Sequence, residues 1–176
     1  MKQSVYLVVG SNVDRERCFP EAIRLIASFC EVLAVSPVYE TAPVGMEGAG
    51  DFFNGALLLA TDLAPDELKK RLQEEVEEPL GRVRHDGQKF ISRTIDVDIA
   101  LWDNLVGDIA GRPVPDPDIL RHIHVARPLA DIAPDLLHPE TGQPLGKIAA
   151  GLALNGPAPR LRPDIVLKYG AGTKEK

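Results

Sequence analysis

Cysteines and long hydrophobic runs are both scarce in this sequence. Cys18 and Cys30 are the only cysteines in 176 residues, and no spacing of cysteine and histidine matches a zinc site. The apolar run nearest the amino terminus covers only residues 5–9, too few for a signal peptide or a membrane-spanning helix. We therefore expect a cytoplasmic protein in a reducing compartment, with both cysteines in a helix.

Aromatic residues and positive charge are also limited. Aromatics make up 5% of the chain, the formal net charge is -6 at pH 7, and the sequence pI is about 5.2. These values argue against a protein that binds nucleic acid non-specifically or lies on a membrane, because both need broad positive potential. Since 44% of the residues are hydrophobic, we expect one domain over residues 1–176, with a core at about 4–139 and a carboxy-terminal extension at about 140–176.

Hydrophobic periodicity predicts four strands and two helices in the order βαββαβ. The predicted strands are residues 5–9, 31–41, 51–61 and 95–101, of which the second and third should pair as antiparallel neighbours. The first helix should contain Pro20 in its first turn, and the second should begin at Pro65. The order predicts an α+β, ferredoxin-like fold with a mainly antiparallel sheet packed by helices. Short helices and an edge segment should follow.

The most informative pattern is a pair of aspartates next to a group of basic residues. Apolar residues alternate in the strand at 95–101, so Asp96 and Asp98 project from one polar face, roughly 7 Å apart along the chain. Carboxylates this close repel each other, and a Mg²⁺ ion that carries substrate phosphates relieves the repulsion. Alone, the pattern is also typical of a solvated strand face.

The basic residues favour the metal interpretation. Arg82, Arg84, Lys89 and Arg93 are concentrated just before the aspartates in an otherwise acidic chain. Guanidinium and ammonium groups next to a metal-bound phosphate stabilise the charge that develops during phosphoryl transfer. The sequence therefore predicts a metal-dependent phosphoryl-transfer site.

Six ordered motifs between residue 5 and about residue 139 resemble a known family. They are Val9-Gly10-Ser11-Asn12, Tyr39-Glu40-Thr41-Ala42-Pro43-Val44-Gly45, Asp51-Phe52-Phe53-Asn54, Glu77 with Gly81-Arg82-Val83-Arg84, Arg93-Thr94-Ile95-Asp96-Val97-Asp98-Ile99, and Arg127-Pro128-Leu129-Ala130-Asp131-Ile132-Ala133-Pro134. The family is 6-hydroxymethyl-7,8-dihydropterin pyrophosphokinase of folate biosynthesis. The resemblance implies Mg-dependent transfer of pyrophosphate from ATP to the hydroxymethyl group of the pterin, with release of AMP.

The resemblance also implies roles for individual residues. Asp96 and Asp98 would hold two Mg²⁺ ions and act in catalysis together with Arg82 and Arg93. The residues expected to bind ATP, as co-substrate, are Glu77, Arg82, Arg84, Lys89, Arg93, Ile99 and Arg121. The residues expected to bind the pterin are Thr41, Ala42, Pro43, Val44, Phe52, Asn54 and His124. In this interpretation Asn54 pairs with the polar edge of the ring and Phe52 stacks on its face.

Several positions depart from the family pattern. Asp116 stands where the family has an ATP-contacting histidine, and Ile91-Ser92 stands where a small residue and proline are frequent. His122-Ile123-His124 replaces an Arg-x-Phe motif, so His124 falls where a phenyl ring would face Phe52 across the pterin. We predict that the His124 imidazole stacks on the pterin and titrates near its reference pKa of about 6.5.

Two other functions fit part of the pattern. One is a non-catalytic ferredoxin-like module that binds a small molecule or RNA, although few aromatics are available to stack on RNA bases. The other is a nucleotidyltransferase that uses Gly10-Ser11 and the aspartate pair, which leaves Arg82-Val83-Arg84 without a role. The products separate these enzymes, because pyrophosphoryl transfer releases AMP and nucleotidyl transfer releases pyrophosphate.

Overall fold

A computed structural model describes residues 1–46, 48–83 and 92–169, and its centre is an antiparallel sheet. The strands of this sheet are β1 (Gln3–Ser11), β2 (Glu31–Val35), β3 (Tyr39–Thr41), β4 (Phe52–Thr61), β5 (Asp96–Trp102) and β8 (Arg160–Leu161), and a separate hairpin contains β6 (Gly107–Ile109) and β7 (Arg112–Val114). The order is β5-β1-β4-β3-β8, with β2 also paired to β4. The predicted ferredoxin-like arrangement and the antiparallel pairing of the second and third strands are confirmed.

Helices cover both faces of the sheet. They are α1 (Arg15–Ala27), α2 (Pro65–Arg71), α3 (Ile123–Ile132) and α4 (Leu145–Ala153); the six residues Leu72–Glu77 extend α2 as a π-helix, and Pro117–Leu120 form a short 3₁₀ helix. The apolar stripes of α1 and α2 form one hydrophobic core with the sheet, and α3 and α4 form a second core on the other face. Each apolar face is buried because both sheet surfaces have a helical layer to pack against. No helix in the described part of the chain is long and apolar enough to cross a membrane.

The structure corrects three details of the predicted elements. The strand expected at 31–41 is two strands, because Ser36 bonds to Ala56 through both its backbone and its hydroxyl and interrupts the ladder. The first helix starts earlier than predicted and includes Arg15, so Pro20 lies in its second turn. Cys18 lies in that helix, but Cys30 follows its end.

The aspartate strand contains a fourth difference. The pairing of β1 with β5 shifts register between Tyr6 and Leu7, which leaves Ala100 as an extra residue. An extra residue turns the following side chains to the opposite face. Leu101 therefore packs in the α3 and α4 core, whereas Ile99 packs in the α1 and α2 core.

Part of the carboxy-terminal extension is joined to the central sheet. Strand β8 pairs with β3, and the Glu40 carboxylate of β3 forms ion pairs with Arg15 (3.1 Å), Arg160 (3.4 Å) and Arg162. The Arg162 guanidinium also lies 4.9 Å from the centre of the Phe53 ring. These contacts fix the strand that leads into the predicted pterin segment at Thr41.

Candidate active site

A cavity of about 790 Å³ lies at one end of the sheet, on the face covered by α3. The predicted site residues that line it are Thr41, Ala42, Val44, Phe52, Asn54, Arg82, Arg93, Asp96, Asp98, Ile99, Arg121 and His124. Residues from β3, β4, β5 and α3 and from the loops beside them therefore meet in one place, although they are far apart in the sequence. A volume of this size is typical of small-molecule sites.

A single row of residues across the sheet connects the two halves of the cavity. Gly10 in the middle strand pairs with Asp96 on one side and with Asn54 on the other. Because neighbouring strands are about 4.8 Å apart, the aspartate and the asparagine lie roughly 10 Å from each other. A Cβ atom at Gly10 would lie 3.6 Å from Asn54 Oδ1 and 3.8 Å from the Phe52 ring. Because glycine has no side chain, the part of the cavity between Asp96 and Asn54 stays open.

The carboxylate end of the cavity is already surrounded by cations. Asp96 forms ion pairs with Arg93 and, at 3.6 Å, with Arg82. The turn after β1 fixes the Arg93 backbone through two hydrogen bonds. The Arg93 backbone N–H donates to Asn12 Oδ1 at 2.7 Å, and the Asn12 backbone N–H donates to the Arg93 carbonyl at 3.1 Å. The sequence motif Gly10-Ser11-Asn12 thus places a basic residue beside the aspartates.

The environment of Asp96 favours a bound cation. Burial, the nearby Asp98 carboxylate and, to a smaller degree, Glu77 raise the Asp96 pKa to about 6, against the opposing effect of Arg93 and Arg82. A pKa raised in this way means that the two arginines do not fully offset the cost of ionising a buried carboxyl beside a second carboxylate, and a divalent ion would supply further positive charge.

The donor set fits Mg²⁺ held jointly by protein and substrate. Asp96 and Asp98 share a strand face and both line the cavity. In residues 1–46, 48–83 and 92–169, no group of three or more His, Cys, Asp or Glu residues is arranged to hold a metal. Mg²⁺ is commonly bound by one or two carboxylates, with waters and substrate phosphates completing the octahedron.

The outer edge of the aspartate strand is held by two side chains from α2 and its π-helical extension. The Glu77 carboxylate accepts a 2.9 Å hydrogen bond from the Val97 N–H, and the Lys69 ammonium donates to the Val97 carbonyl at 3.0 Å. Val97 lies between the two aspartates, so these bonds fix the backbone that carries them. Glu77 is 1% exposed and is absent from the cavity lining. In the described structure its carboxylate supports β5, and its contact with ATP stays a prediction.

The opposite end of the cavity carries the residues predicted to bind the pterin. Asn54 is 7% exposed, and its amide nitrogen donates a 2.7 Å hydrogen bond to the Thr41 hydroxyl. That bond orients the amide within a mostly apolar wall that includes Phe52 and Val44. Pro43 is not among the described residues that line the cavity.

His124 lines the cavity, but the prediction that it titrates near its reference pKa is wrong. Burial, assisted by His122, lowers the His124 pKa to about 4. The two imidazole rings are stacked, with centroids 5.2 Å apart and planes inclined by 26°. His124 is therefore neutral from pH 5.5 to 7.5, and pterin affinity should not change over that range through this residue.

His124→Phe should flatten the pH dependence of stability in mildly acidic solution. A histidine whose pKa is lowered by folding binds its proton more readily in the unfolded chain, so stability is lost as pH falls from about 6.5 toward about 4. We expect the free energy of unfolding to fall by about 1–2 kcal/mol more in the wild type than in His124→Phe between pH 7.5 and pH 5. Urea titrations at both pH values measure this difference, and equal pH dependence in the two proteins would contradict it.

Lys69 and Asp116 are among the cavity residues that were not predicted as part of the site. Lys69 has a buried ammonium at the edge of β5. Asp116, which was not expected to contact phosphate, lines the cavity and accepts a 2.9 Å hydrogen bond from the Asp118 N–H. Burial raises the Asp116 pKa to about 6, and the Asp98 carboxylate adds to the shift. Arg84 and Lys89, which were expected to bind ATP, lie outside the described residues.

Comparison with known proteins identifies the family. Residues 6–134 match the family model of 7,8-dihydro-6-hydroxymethylpterin-pyrophosphokinase (HPPK). The chain belongs to this family. It is 36% identical over 143 residues to 2-amino-4-hydroxy-6-hydroxymethyldihydropteridine pyrophosphokinase of Aquifex aeolicus, covering 81% of this chain and 88% of the relative. The Bacillus subtilis enzyme of the same name is 36% identical over 135 residues, covering 75% of this chain and 79% of the relative.

Solved structures support the same fold. The Plasmodium falciparum HPPK-DHPS structure with pteroate superposes with a TM-score of 0.68 at 10% sequence identity and covers 88% of this chain. This chain spans only 43% of that protein's length. At this level of identity the likeness concerns the fold alone, and the HPPK assignment depends on the sequence matches.

Proposed function

We propose that this HPPK chain transfers pyrophosphate from ATP to the hydroxymethyl oxygen of 6-hydroxymethyl-7,8-dihydropterin. The pterin hydroxyl oxygen forms a bond to the β-phosphorus and loses its proton to solvent, the bond between that phosphorus and the bridging oxygen to the α-phosphate breaks, and AMP leaves. Family membership makes the chain a pyrophosphokinase of folate biosynthesis. The observation that carries the residue assignment is the row Asp96, Gly10 and Asn54 across three adjacent strands, because it places the carboxylate and the amide roughly 10 Å apart at opposite ends of one cavity.

The basic residues act on the phosphates. Arg82 and Arg93 line the cavity and approach Asp96 from two directions. A guanidinium presents paired N–H donors that match two oxygens of a phosphate, so each arginine can shift from the carboxylate to the incoming nucleotide. Alignment of the attacking and leaving oxygens, together with this positive charge, supplies the catalysis, and no covalent nucleophile is needed.

Asp96 and Asp98 would hold two Mg²⁺ ions, which would supply positive charge against the negative charge that develops on the phosphate oxygens. The two carboxylates provide anionic oxygens on one rigid strand face. Glu77 and Lys69 keep that strand in place through the Val97 backbone, so the carboxylates need not reorganise during the reaction.

The pterin would enter between Phe52 and His124 with its polar edge against Asn54. Both rings line the cavity, and a neutral imidazole remains planar and able to stack. Asn54 offers a donor and an acceptor to the pyrimidinone edge of the ring.

Product analysis tests the proposed reaction against the alternatives. The wild-type protein, incubated with ATP, Mg²⁺ and the pterin, should release one AMP for each pyrophosphorylated pterin formed. Release of pyrophosphate would indicate nucleotidyl transfer. Pterin binding without any phosphorus product would support a non-catalytic module.

Asn54→Leu should weaken pterin binding about 10- to 100-fold, because the polar edge of the bound ring would lose its partner in a buried position. The affinity for a non-hydrolysable ATP analogue should stay the same. Calorimetric titration of pterin with the analogue present measures the effect, and Asn104→Leu, at an exposed turn, is the control. Unchanged pterin affinity in Asn54→Leu would place the ring elsewhere.

The domain organisation, the substrates and the cellular location are part of the same proposal. Residues 1–176 would act as one pyrophosphokinase domain, with part of the extension anchored through β8. The substrates are small anions and a pterin in a local basic cavity, and we propose that the reaction takes place in the cytoplasm.

A further inference from the structure

Two adjacent lysines of α2 have opposite environments. Lys69 is 6% exposed, whereas the Lys70 side chain is 69% exposed and lies 3.8 Å from Glu74 on the surface. Lys69 flanks the helix stripe of Leu68 and Leu72, which is buried in the α1 and α2 core. An ammonium buried in this way is costly unless it is paired and hydrogen-bonded, so its partners indicate its role.

The Lys69 ammonium is directed to the strand that carries the two aspartates. It donates to the Val97 carbonyl at 3.0 Å and lies 3.4 Å from Asp98 Oδ1. Lys69 also lines the cavity. An ammonium has three N–H donors, and these two contacts account for two of them.

The cations around the two aspartates differ in how far they can move. Arg82 and Arg93 pair with Asp96, and each can turn toward a ligand while remaining near the strand. The Lys69 side chain is held within the fold and bonded to backbone, so its charge stays beside Asp98 whichever ligand is present. A metal ion that approaches Asp98 therefore meets a fixed positive charge.

We propose that Lys69 is a resident cation of the phosphate site, opposing metal binding in the free protein and contacting a phosphate oxygen when the nucleotide is bound. This inference rests on the proposed function. A divalent ion alone gains less from Asp98 because the ammonium repels it. The same ammonium attracts an incoming phosphate as a compact point charge, so that the metal binds preferentially together with the nucleotide.

Binding measurements on variants without the Lys69 charge separate its repulsion of a metal ion from its attraction of a phosphate. Lys69→Met removes the charge and keeps an unbranched apolar stem, and Lys69→Gln removes the charge but keeps an N–H donor for the Val97 carbonyl. Lys70→Met is the matched control at the neighbouring exposed position. One titration uses Mn²⁺ as the probe without nucleotide, and the other uses a non-hydrolysable ATP analogue in the presence of a chelator. Thermal unfolding verifies that each variant is folded.

Both Lys69 variants should bind Mn²⁺ about tenfold more tightly and the metal-free ATP analogue about tenfold more weakly, while Lys70→Met should match the wild type. A residue that only supports the fold would not move the two affinities in opposite directions. Unchanged affinities, or a parallel fall in both, in a folded Lys69 variant would overturn this inference and leave the proposed function intact. Absence of binding in the wild type and in every variant, also when Mn²⁺ and the analogue are added together, would defeat the proposed function and this inference with it.

Discussion

Asp96→Asn and Asp98→Asn should each lower kcat by about a thousandfold or more. Each substitution removes an anionic oxygen that would hold Mg²⁺ against the phosphates, and the positive charge at the transferred group falls accordingly. The shape of the side chain is kept, so substrate access to the cavity does not change. Steady-state AMP release over a range of Mg²⁺ concentrations measures the effect.

The Asp96 variant should lose activity without losing stability. Folding raises the Asp96 pKa to about 6, above an unfolded value of about 3.9, so the folded state favours the neutral group. The stability that this group contributes is present below the unfolded pKa and is lost as pH rises through the folded pKa. At pH 8 the neutral asparagine should therefore leave the free energy of unfolding unchanged or raise it by about 1–3 kcal/mol.

Asp62→Asn provides the control, since the Asp62 side chain is 64% exposed and its partner is the amino terminus at 3.7 Å. It should retain wild-type turnover. The metal assignment would be wrong if either active-site variant kept activity within about tenfold of the wild type at limiting Mg²⁺. A large loss of folded stability in Asp96→Asn would contradict the account of its environment.

The framework of the fold could be predicted from the sequence because periodicity reports burial. The alternation of Val97 and Ile99 with the two aspartates is observed, and Leu68, Leu72 and Val76 form the buried stripe that their spacing indicates. Both patterns depend on one face of an element being apolar. The core formed by α3 and α4 was harder to predict from the sequence, because these helices are short and lie in a proline-rich region.

The interruptions of strands could not be predicted from local pattern. The extra residue at Ala100 turns Leu101 to the other face of the sheet. An alternating sequence pattern does not indicate whether a strand contains such a bulge. Ser36 divides β2 from β3 through hydrogen bonds to Ala56, which is twenty positions away in the chain. Such contacts exist only once the sheet has formed.

The supporting roles of Lys69 and Glu77 were not predicted for a related reason. Lys69 and Glu77 lie in a segment rich in lysine and glutamate, where charged residues usually face solvent. One signal was available for Lys69, because it lies within one position of the apolar stripe and three residues before Leu72. For Glu77 the decisive fact is its bond to the Val97 N–H, which depends on the distant strand.

Arg82→Lys should lower kcat about a hundredfold, although the charge is conserved. The Arg82 side chain is 13% exposed, and its Nη2 lies 3.6 Å from Asp96 Oδ1. Its Nε is buried and has no hydrogen-bond partner among the described residues, so the guanidinium is not fully paired with protein groups. Lysine offers one compact ammonium and cannot present paired donors in a plane.

The kinetic pattern distinguishes a phosphate contact from support of Asp96. If the Arg82 guanidinium aligns the transferred phosphates, kcat should fall while the KM of the pterin stays the same, since the pterin lies at the other end of the cavity. Arg17→Lys, at an exposed helix position with a 2.5 Å ion pair to Asp14, controls for loss of a guanidinium elsewhere. Arg82→Lys with wild-type kcat would show that positive charge near Asp96 is sufficient, and that the paired donors of Arg82 take no part in the transfer.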